Sequence, residues 1–284
     1  MNRDFVWPLT TILAWSVSYP IIKLALNYMG PVPLLEIRLV AGGLILLALA
    51  KGFAAGKKET VSALLNVALF LVLLNLGVQL SENPALSAVL IYTQPAFVIV
   101  LSVLFGERVN GIVAFGTAIA LLGALVSAGS VNFDLGSLVS IAGGFVWALG
   151  TLYHRKYLAK DDLLKLNVFY ALSSALIDSP LLIFDHKFEV SPIGIFYAVL
   201  SGVLAQVVGY VAWFKGVEAL GPFAMSNLGL LVPPMSYVFT YLILGVVPTY
   251  FQVIGSALVI GGVALANVGG ALSYGRRLRD RDGE

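Results

Sequence analysis

Long apolar stretches separated by short polar breaks follow one another along the whole chain. A helix of about 20 residues crosses about 30 Å of hydrocarbon, and a window of that length finds ten candidate spans. The breaks carry helix-ending pairs such as Gly30-Pro31 and Gly221-Pro222. The pattern predicts an all-α integral membrane protein with ten transmembrane helices, at about 5–27, 33–52, 61–81, 84–105, 110–130, 135–157, 164–184, 191–215, 222–244 and 248–271.

The same residues recur at a constant spacing in the two halves. An offset of 139 residues aligns Gly77/Gly216, Ala85/Ala224, Ser87/Ser226, Pro95/Pro234, Gly106/Gly245, Gly116/Gly255 and Gly123/Gly262. Earlier in each half, Trp15/Trp147 and Lys23/Arg155 align at an offset of 132. An odd number of spans per copy makes the second copy enter the membrane from the other face, so we expect two inverted five-helix repeats. The expected units are 1–131, 132–273 and a basic tail at 274–284.

Composition restricts the class of protein. With 59% hydrophobic and 11% charged residues and a mean hydropathy of +0.94, the chain has too little polar surface for a soluble globule. The first span is too long for a signal peptide and is expected to stay. Cysteine is absent and only two histidines occur, so we expect no metal, no cofactor and no enzyme activity. The expected partners are the lipid bilayer and a small molecule, not a nucleic acid.

The basic residues predict the orientation. With both termini in the cytoplasm, only Lys187 falls in an outer loop. We therefore expect a multi-pass protein of the plasma (inner) membrane, as a monomer or weak dimer. The basic residues then at inner ends or in inner loops are Arg3, Lys51, Lys57, Lys58, Arg108, Arg155, Lys156, Lys160, Lys165, Lys215, Arg276, Arg277, Arg279 and Arg281.

Polar and aromatic side chains near the middle of the spans are the candidates for a substrate site. Amides are costly against lipid and should face other helices or a wet cavity. Two tryptophans lie too deep for the interfacial belt, and their alternative role is packing. The predicted substrate-binding residues are Trp15, Tyr19, Asn75, Tyr92, Gln94, Trp147, Gln206, Tyr210, Asn227 and Tyr237.

Charged residues and prolines inside the spans suggest gating. Lys23, Glu36 and Arg38 would form a cluster at the outer mouth, with Arg38 favoured to face the cavity; snorkelling to headgroups is the alternative. Pro95 and Pro234 break two spans at matching repeat positions, as hinges or simple bends. Asp178 is the deepest carboxylate and a candidate for proton coupling. For His154, at the inner end of its span, we favour an interfacial position over a proton relay.

The order of several motifs resembles the EamA-type branch of the drug/metabolite transporter superfamily. Trp15-Ser16 is followed by Lys23, then by Arg38, by Pro95 with Leu104 to Glu107, and by the glycines of span 5. The second copy has Leu244-Gly245-Val246 where the family often repeats Gly-Glu. The resemblance covers essentially the whole chain. It implies an inner-membrane carrier of small metabolites, in a family that moves amino acids, nucleosides, sugars, drugs or phosphorylated compounds.

These observations predict a secondary active transporter that works by alternating access. A phosphorylated substrate needs at least two cavity cations, and only Lys23 and Arg38 are available, so a neutral or zwitterionic metabolite such as an amino acid fits better. Similarity to amino-acid and drug exporters favours efflux, and proton coupling is a further expectation. The main alternative is a flippase of lipid-linked sugars or amphiphiles. A membrane enzyme would show clustered carboxylates or histidines, and a channel would show rings of repeated charges.

Overall fold

A computed structural model describes residues 3–82, 86, 89–107, 109–129 and 133–281, with side chains from residue 4 to residue 270. Within these residues, regular structure is helical apart from one isolated bridge between Met29 and Phe188. We number the helices α1 (Val6–Ala25), α2 (Pro31–Ala50), α3 (Lys57–Leu80), α4 (Ile91–Leu104), α5 (Gly111–Ser127), α6 (Leu135–Tyr157), α7 (Leu163–Ile183), α8 (192–220), α9 (222–244) and α10 (Tyr250–Arg281).

The helices divide where glycine and proline permit. Gly221, with φ 85°, separates α8 from α9 inside an otherwise continuous helical stretch, because only glycine adopts this left-handed conformation without strain. By length and composition, six stretches of the described chain are long and apolar enough to cross a membrane, with Pro192–Gly229 counted as one. Three further apolar helices are shorter: Ile91–Leu104 is α4, Gly111–Ser127 is α5, and Val232–Leu244 is the later part of α9.

Local irregularities recur at equivalent places in the two halves. A π-helical segment, Leu64–Ala68, interrupts α3, and Gly202–Gly209 interrupts α8 at the matching position. A 3₁₀ turn, Ile91–Thr93, precedes Pro95 in α4, while a turn at Leu230 and Leu231 precedes Pro234 in α9. Gly106 and Gly245 both have positive φ. The two copies therefore share backbone conformation as well as residues.

Helices α5 and α10 pack backbone to backbone through glycines. A Cβ on Gly116 would lie 2.7 Å from the carbonyl oxygen of Gly262, and one on Gly123 would lie 2.6 Å from that of Gly255. Because Gly116 is the repeat equivalent of Gly255, and Gly123 that of Gly262, exchanging the two halves turns each contact into the other. A pseudo-twofold axis therefore runs through this helix pair, as two inverted repeats require.

Contacts between loops identify the two faces. We call the face at which α1 begins and α10 ends the terminal face and the other the opposite face. On the opposite face, Asp185 of the α7–α8 loop accepts a hydrogen bond from the backbone N–H of Val32 at 2.8 Å. On the terminal face, the N–H of Ala54 donates to the carbonyl of Lys165. Loops α1–α2 and α7–α8 thus share one face, and α2–α3 and α6–α7 share the other.

Asp134 ties two loops of the opposite face together. Its carboxylate caps α6 by accepting from the N–H and hydroxyl of Ser137, and it also accepts from the Ser81 hydroxyl and the Glu82 N–H. These hydrogen bonds, above all the one from the Ser137 N–H, hold the pKa of Asp134 well below its ordinary range, although partial desolvation opposes them.

We expect Asp134→Ala to lower the melting temperature at pH 7, while Asp161→Ala, at an exposed position, leaves it unchanged. Because the pKa is lower in the folded state, the contribution is complete above the ordinary value of 3.8 and is lost as the pH falls from there toward the folded-state pKa. Thermal unfolding in detergent between pH 3 and 8 measures this. The difference between the two variants should shrink as the pH falls from 3.8 to 3. A difference that stays constant over that interval, or no difference at pH 7, contradicts the prediction.

Two bundles of helices enclose the centre of the protein. The first bundle contains α6 packed on α3 and α4, and the second contains α1 packed on α8 and α9. Each bundle thus combines two helices of one repeat with the first helix of the other repeat: α6 joins α3 and α4, and α1 joins α8 and α9. Helix α2 packs on α7, and α5 packs on α10.

The spans expected from the sequence match these helices, with differences at their ends. Helix α3 begins at Lys57 instead of 61, and α8 continues to 220 instead of 215. The expected boundary at 131/132 lies outside the described residues, as does Arg108 of the charge count, so the division into units stays a prediction.

Candidate substrate-binding site

A cavity of about 100 Å³ lies between the two bundles, and we call it the central cavity. Its wall comes from α1, α2, α3, α4, α6 and α8, and it is mostly aromatic and aliphatic. On α1 it runs from the middle of the helix toward the opposite face. The lining residues are Trp15, Ser18, Tyr19, Ile22, Arg38, Phe70, Leu71, Leu74, Ile91, Tyr92, Trp147, Ala205 and Tyr210.

Two tryptophans form the floor of the central cavity, and a third supports them from behind. Trp15 and Trp147, which are repeat equivalents, have ring centroids 5.8 Å apart. Trp213 of α8 is fully buried behind them, stacked at 5.3 Å on Trp15 and 4.9 Å from Trp147. Trp15 donates from Nε1 to the carbonyl of Ala205, inside the π-helical segment of α8, at 3.1 Å. The floor therefore lies where the two repeats and both bundles meet.

Arg38 brings one cation into this aromatic setting. It lies on α2 beside Tyr19 and Tyr210. Its Nε atom is buried with no hydrogen-bond partner among the described residues, and the same holds for Nε1 of Trp147. Buried donors normally have acceptors, and a charge inside a membrane protein is costly unless it is paired. The wall thus presents two donors, one of them positively charged, that an anionic group of a ligand would satisfy.

Tyrosine hydroxyls connect the two bundles around the cavity. Tyr19 of α1 and Tyr92 of α4 share a hydrogen bond of 2.9 Å. Tyr210 of α8 donates to the carbonyl of Asn66 on α3 at 3.1 Å. Each hydrogen bond joins one bundle to the other. Separation of the bundles at either face of the protein would therefore break one of these two hydrogen bonds.

Five of the ten predicted substrate-binding residues line the central cavity: Trp15, Tyr19, Tyr92, Trp147 and Tyr210. The others do not. Gln94 donates to the hydroxyl of Thr151 on α6 at 3.3 Å, and Gln206 lies against Gly42 of α2. Asn75 is half-buried on α3.

The two predicted residues of α9 pair with α5. Asn227 accepts from Thr117 at 2.6 Å, and Tyr237 donates to Ser127 at 3.3 Å. The polar groups of these two side chains are hydrogen-bonded between α9 and α5, so they do not face lipid.

The predicted cluster of charges at the mouth is not formed by ion pairs. Across the described residues, ion pairs join only His154 to Glu218 and Lys165 to Asp162. Lys23 is exposed and does not line the cavity, whereas Arg38 does. Glu36 comes two residues before Arg38. It points to a different side of α2, because residues two positions apart in a helix do not share a face. Pro95 and Pro234 are buried, at the second and third positions respectively of the regular helices that follow their turns.

Asp178 lies outside the central cavity. It is only 1% exposed, and its Oδ2 has no hydrogen-bond partner among the described residues. It belongs to an apolar groove of about 390 Å³ between α3 and α7, together with Val61, Leu64, Leu65, Leu69, Val72, Ile177 and Leu181. Its role in proton coupling stays a prediction, now at a position separate from the substrate site.

Sequence reasoning missed the aliphatic wall and Trp213. Phe70, Leu71 and Leu74 carry no mark that separates a cavity residue from one that faces lipid. Trp213 was placed near the end of its span, because the span was ended at 215. The longer α8 puts this residue inside the bilayer-spanning part, and a tryptophan that deep would have been a signal.

The fold and site define a class: a membrane transporter in which two inverted repeats surround one cavity between two bundles. Comparison with known proteins identifies the family. The EamA-like transporter family model matches residues 5–129 and, a second time, 134–268. The chain belongs to this family, and each match covers one five-helix repeat.

Named relatives span nearly the whole chain. A probable terminal-alkyne amino-acid exporter of Streptantibioticus cattleyicolor is 28% identical over 277 residues, covering 92% of this chain and 93% of the relative. A probable amino-acid metabolite efflux pump of Escherichia coli is 25% identical over 286 residues, covering 92% and 94%. One crystal structure superposes with a TM-score of 0.79 at 20% identity over 98% of this chain and 99% of the other, and it supports the fold alone.

Proposed function

We propose that this transporter exports small zwitterionic metabolites, foremost neutral amino acids, by alternating access. One observation carries the proposal: in the part of the chain that the structure describes, the aromatic cavity has a single cation, Arg38, with a buried donor that lacks an acceptor. A guanidinium binds a carboxylate through two parallel hydrogen bonds, and tryptophan faces attract an ammonium group and cover an apolar side chain. The named relatives, described as amino-acid exporters, support both substrate class and direction.

The charge of the cavity fits phosphorylated compounds, sugars and nucleosides less well than it fits a zwitterion. A phosphate group would leave charge unpaired beside a single guanidinium, since Lys23 is exposed and does not line the cavity. A sugar or nucleoside would leave that guanidinium without an anion in an apolar surrounding. A zwitterion satisfies Arg38 and brings its own positive charge for the tryptophans.

Transport would proceed by rocking of the two bundles around the cavity. Opening on the terminal face separates Tyr210 from Asn66 and frees the tryptophan floor. Opening on the opposite face separates Tyr19 from Tyr92. We place both termini in the cytoplasm of a cell with a plasma (inner) membrane, because the basic residues of the α2–α3 and α6–α7 loops share the terminal face.

Ligand-induced thermal stabilisation tests the proposal with three matched compounds. We expect leucine to raise the melting temperature of the purified protein, and leucinamide, which lacks the carboxylate, to have no effect. The deaminated analogue 4-methylpentanoate should stabilise less than leucine, because it has no ammonium group for the tryptophans. At about 100 times its Kd, a ligand adds about 2.7 kcal/mol of stability, which is readily measured. Stabilisation by nucleosides or sugar phosphates, with none by amino acids, would contradict the proposal.

An amphiphile flippase is the second candidate, favoured by the apolar groove between α3 and α7. Its apolar members Leu64, Leu69 and Ile177 are exposed toward the outside of the bundle. A fluorescent lipid that changes leaflets in proteoliposomes at a rate sensitive to Leu69→Trp would support this function. No such effect, with leucine flux intact, would exclude it.

A further inference from the structure

His154 is buried in a region where a titratable side chain is expensive. It lies in the last turn of α6 with no exposed surface, and its ring is 4.2 Å from that of Phe214 on α8. The interfacial position expected from the sequence is therefore wrong: α8 covers the end of α6. Substrate binding as proposed above has no use for this imidazole. Buried ionisable groups inside membrane proteins usually mark ion or proton pathways.

Both ring nitrogens of His154 face polar groups of other helices. Nε2 lies 3.5 Å from Oε1 of Glu218 on α8, and Nδ1 lies 3.4 Å from the hydroxyl of Tyr170 on α7. The side chain of Glu218 is 24% exposed. One side of the imidazole thus reaches a carboxylate with access to the terminal face, and the other side reaches a buried hydroxyl.

Polar groups continue from Tyr170 to the central cavity. Tyr170 donates to the hydroxyl of Ser62 at 2.8 Å, and Asn66 Nδ2 donates to the same hydroxyl at 3.1 Å. Tyr210, on the cavity wall, donates to the carbonyl of Asn66 at 3.1 Å. Ser62, Asn66 and Tyr170 are fully buried. A line of buried polar groups therefore runs through otherwise apolar packing from the cavity to His154, with Asn66 bonded at its backbone carbonyl on the cavity side and at its side-chain amide on the other.

The His154–Glu218 pair crosses the boundary between the bundles on the terminal face. His154 belongs to α6 of the first bundle, and Glu218 belongs to α8 of the second. Arg155 reinforces this crossing by donating from Nη1 to the backbone carbonyl of Glu218 at 2.7 Å. Opening the terminal face requires this contact to part.

We propose that His154 is the binding site of a proton that is exchanged for substrate, with Glu218 as its ion-pair partner; this rests on the proposed function as an alternating-access carrier. A proton enters from the cavity when the cavity is open to the opposite face and forms the imidazolium. The imidazolium and the Glu218 carboxylate then attract each other across the bundle boundary and hold the terminal face closed. Loss of the proton to water on the terminal face removes that attraction, so the bundles separate and substrate enters.

One proton moves inward for each substrate moved outward, with no other chemical change. With both termini cytoplasmic, the proton gradient would then drive export. The ionisable groups that face the pair are Glu218 on α8, Tyr170 on α7 and Arg155 on α6 itself. Glu59 of α3, Asp161 of the α6–α7 loop and Tyr153 of α6 interact electrostatically with Tyr170.

The first experiment needs no substrate. The chain has two histidines, His154 and His186, so imidazole-labelled protein gives two NMR signals, and His186→Gln assigns them. The spectra are recorded between about pH 5 and 8, where a histidine side chain can change charge. We expect the His154 signal to respond to pH and the response to differ in Glu218→Gln. A His154 signal that does not change over this range overturns the proposal.

The second experiment measures coupling in proteoliposomes with leucine as the probe. A pH gradient of one unit should drive about tenfold accumulation by the wild type at one proton per substrate. His154→Gln should abolish accumulation but retain leucine counterflow, in which no net proton moves, and His186→Gln, at an exposed loop position, should behave as the wild type. If Asp178→Asn loses accumulation and His154→Gln keeps it, the assignment to His154 is wrong. If the wild type does not move leucine while the His154 signal titrates and depends on Glu218, the substrate proposal fails and the proton site stands.

Discussion

Replacing Arg38 by glutamine is expected to lower the affinity for leucine by at least about 30-fold, because removing one partner of a buried charge pair costs about 2 kcal/mol or more. The other partner here is the substrate carboxylate. Among the described residues the guanidinium has no acceptor at Nε, so the neutral variant relieves a burial cost and should melt at the same or a higher temperature. Lower affinity together with undiminished stability separates a binding role from a structural one.

Matched variants and ligands make this result specific. Lys23→Gln removes the same charge from an exposed position outside the cavity and should leave affinity within about twofold. Arg38→Lys keeps the charge but loses the planar pair of donors, so it should recover only part of the affinity. In Arg38→Gln, leucine and leucinamide should bind equally weakly. A variant that still prefers leucine would show that another group holds the carboxylate.

The composition and repeats of the sequence predicted the fold because the physical constraints on a membrane chain are few and strong. Backbone groups must be paired within lipid, so apolar runs of spanning length form helices. Odd-numbered repeats must invert. The glycines Gly116, Gly123, Gly255 and Gly262 match between the repeats of the sequence, and the structure places them against each other's backbones.

The site was only half accessible to sequence reasoning, because polarity within the membrane has two explanations. An amide must avoid lipid, and a neighbouring helix serves as well as a cavity: Gln94 pairs with Thr151, and Asn227 pairs with Thr117. Trp15 and Trp147 could be recognised as site residues because they lie deep in their spans and are repeat equivalents. Equivalent residues that line one cavity lie on either side of the pseudo-twofold axis. His154 was misjudged because its cover, Phe214, belongs to another helix, and a hydropathy pattern does not show which helices pack together.

The second large effect concerns the scaffold and rests on two adjacent glycines of α10. We expect Gly262→Leu to prevent recovery of folded, monodisperse protein, and Gly262→Ala to lower the melting temperature by about 3–10 °C, from an overpacking cost of about 1–3 kcal/mol. A Cβ on Gly262 would meet the backbone N–H of Ala120 and lie 2.6 Å from the carbonyl oxygen of Gly116. Backbone atoms cannot turn aside as a flexible side chain can, so α5 and α10 must move apart. Without a hydrophobic force between helices in lipid, close packing is what holds such a pair together.

Gly261 supplies the control, since a Cβ there meets nothing within 4 Å. Gly261→Ala and Gly261→Leu should be tolerated, with a small gain in stability because alanine and leucine favour helix over glycine. Gly123→Ala should resemble Gly262→Ala, because the two glycines are repeat equivalents in contacts that the pseudo-twofold axis exchanges. Size-exclusion profiles and thermal unfolding of the four alanine and leucine variants at 261 and 262 measure the difference. Equal loss at both positions would mean that added bulk, not backbone contact across the axis, is what the helix cannot accept.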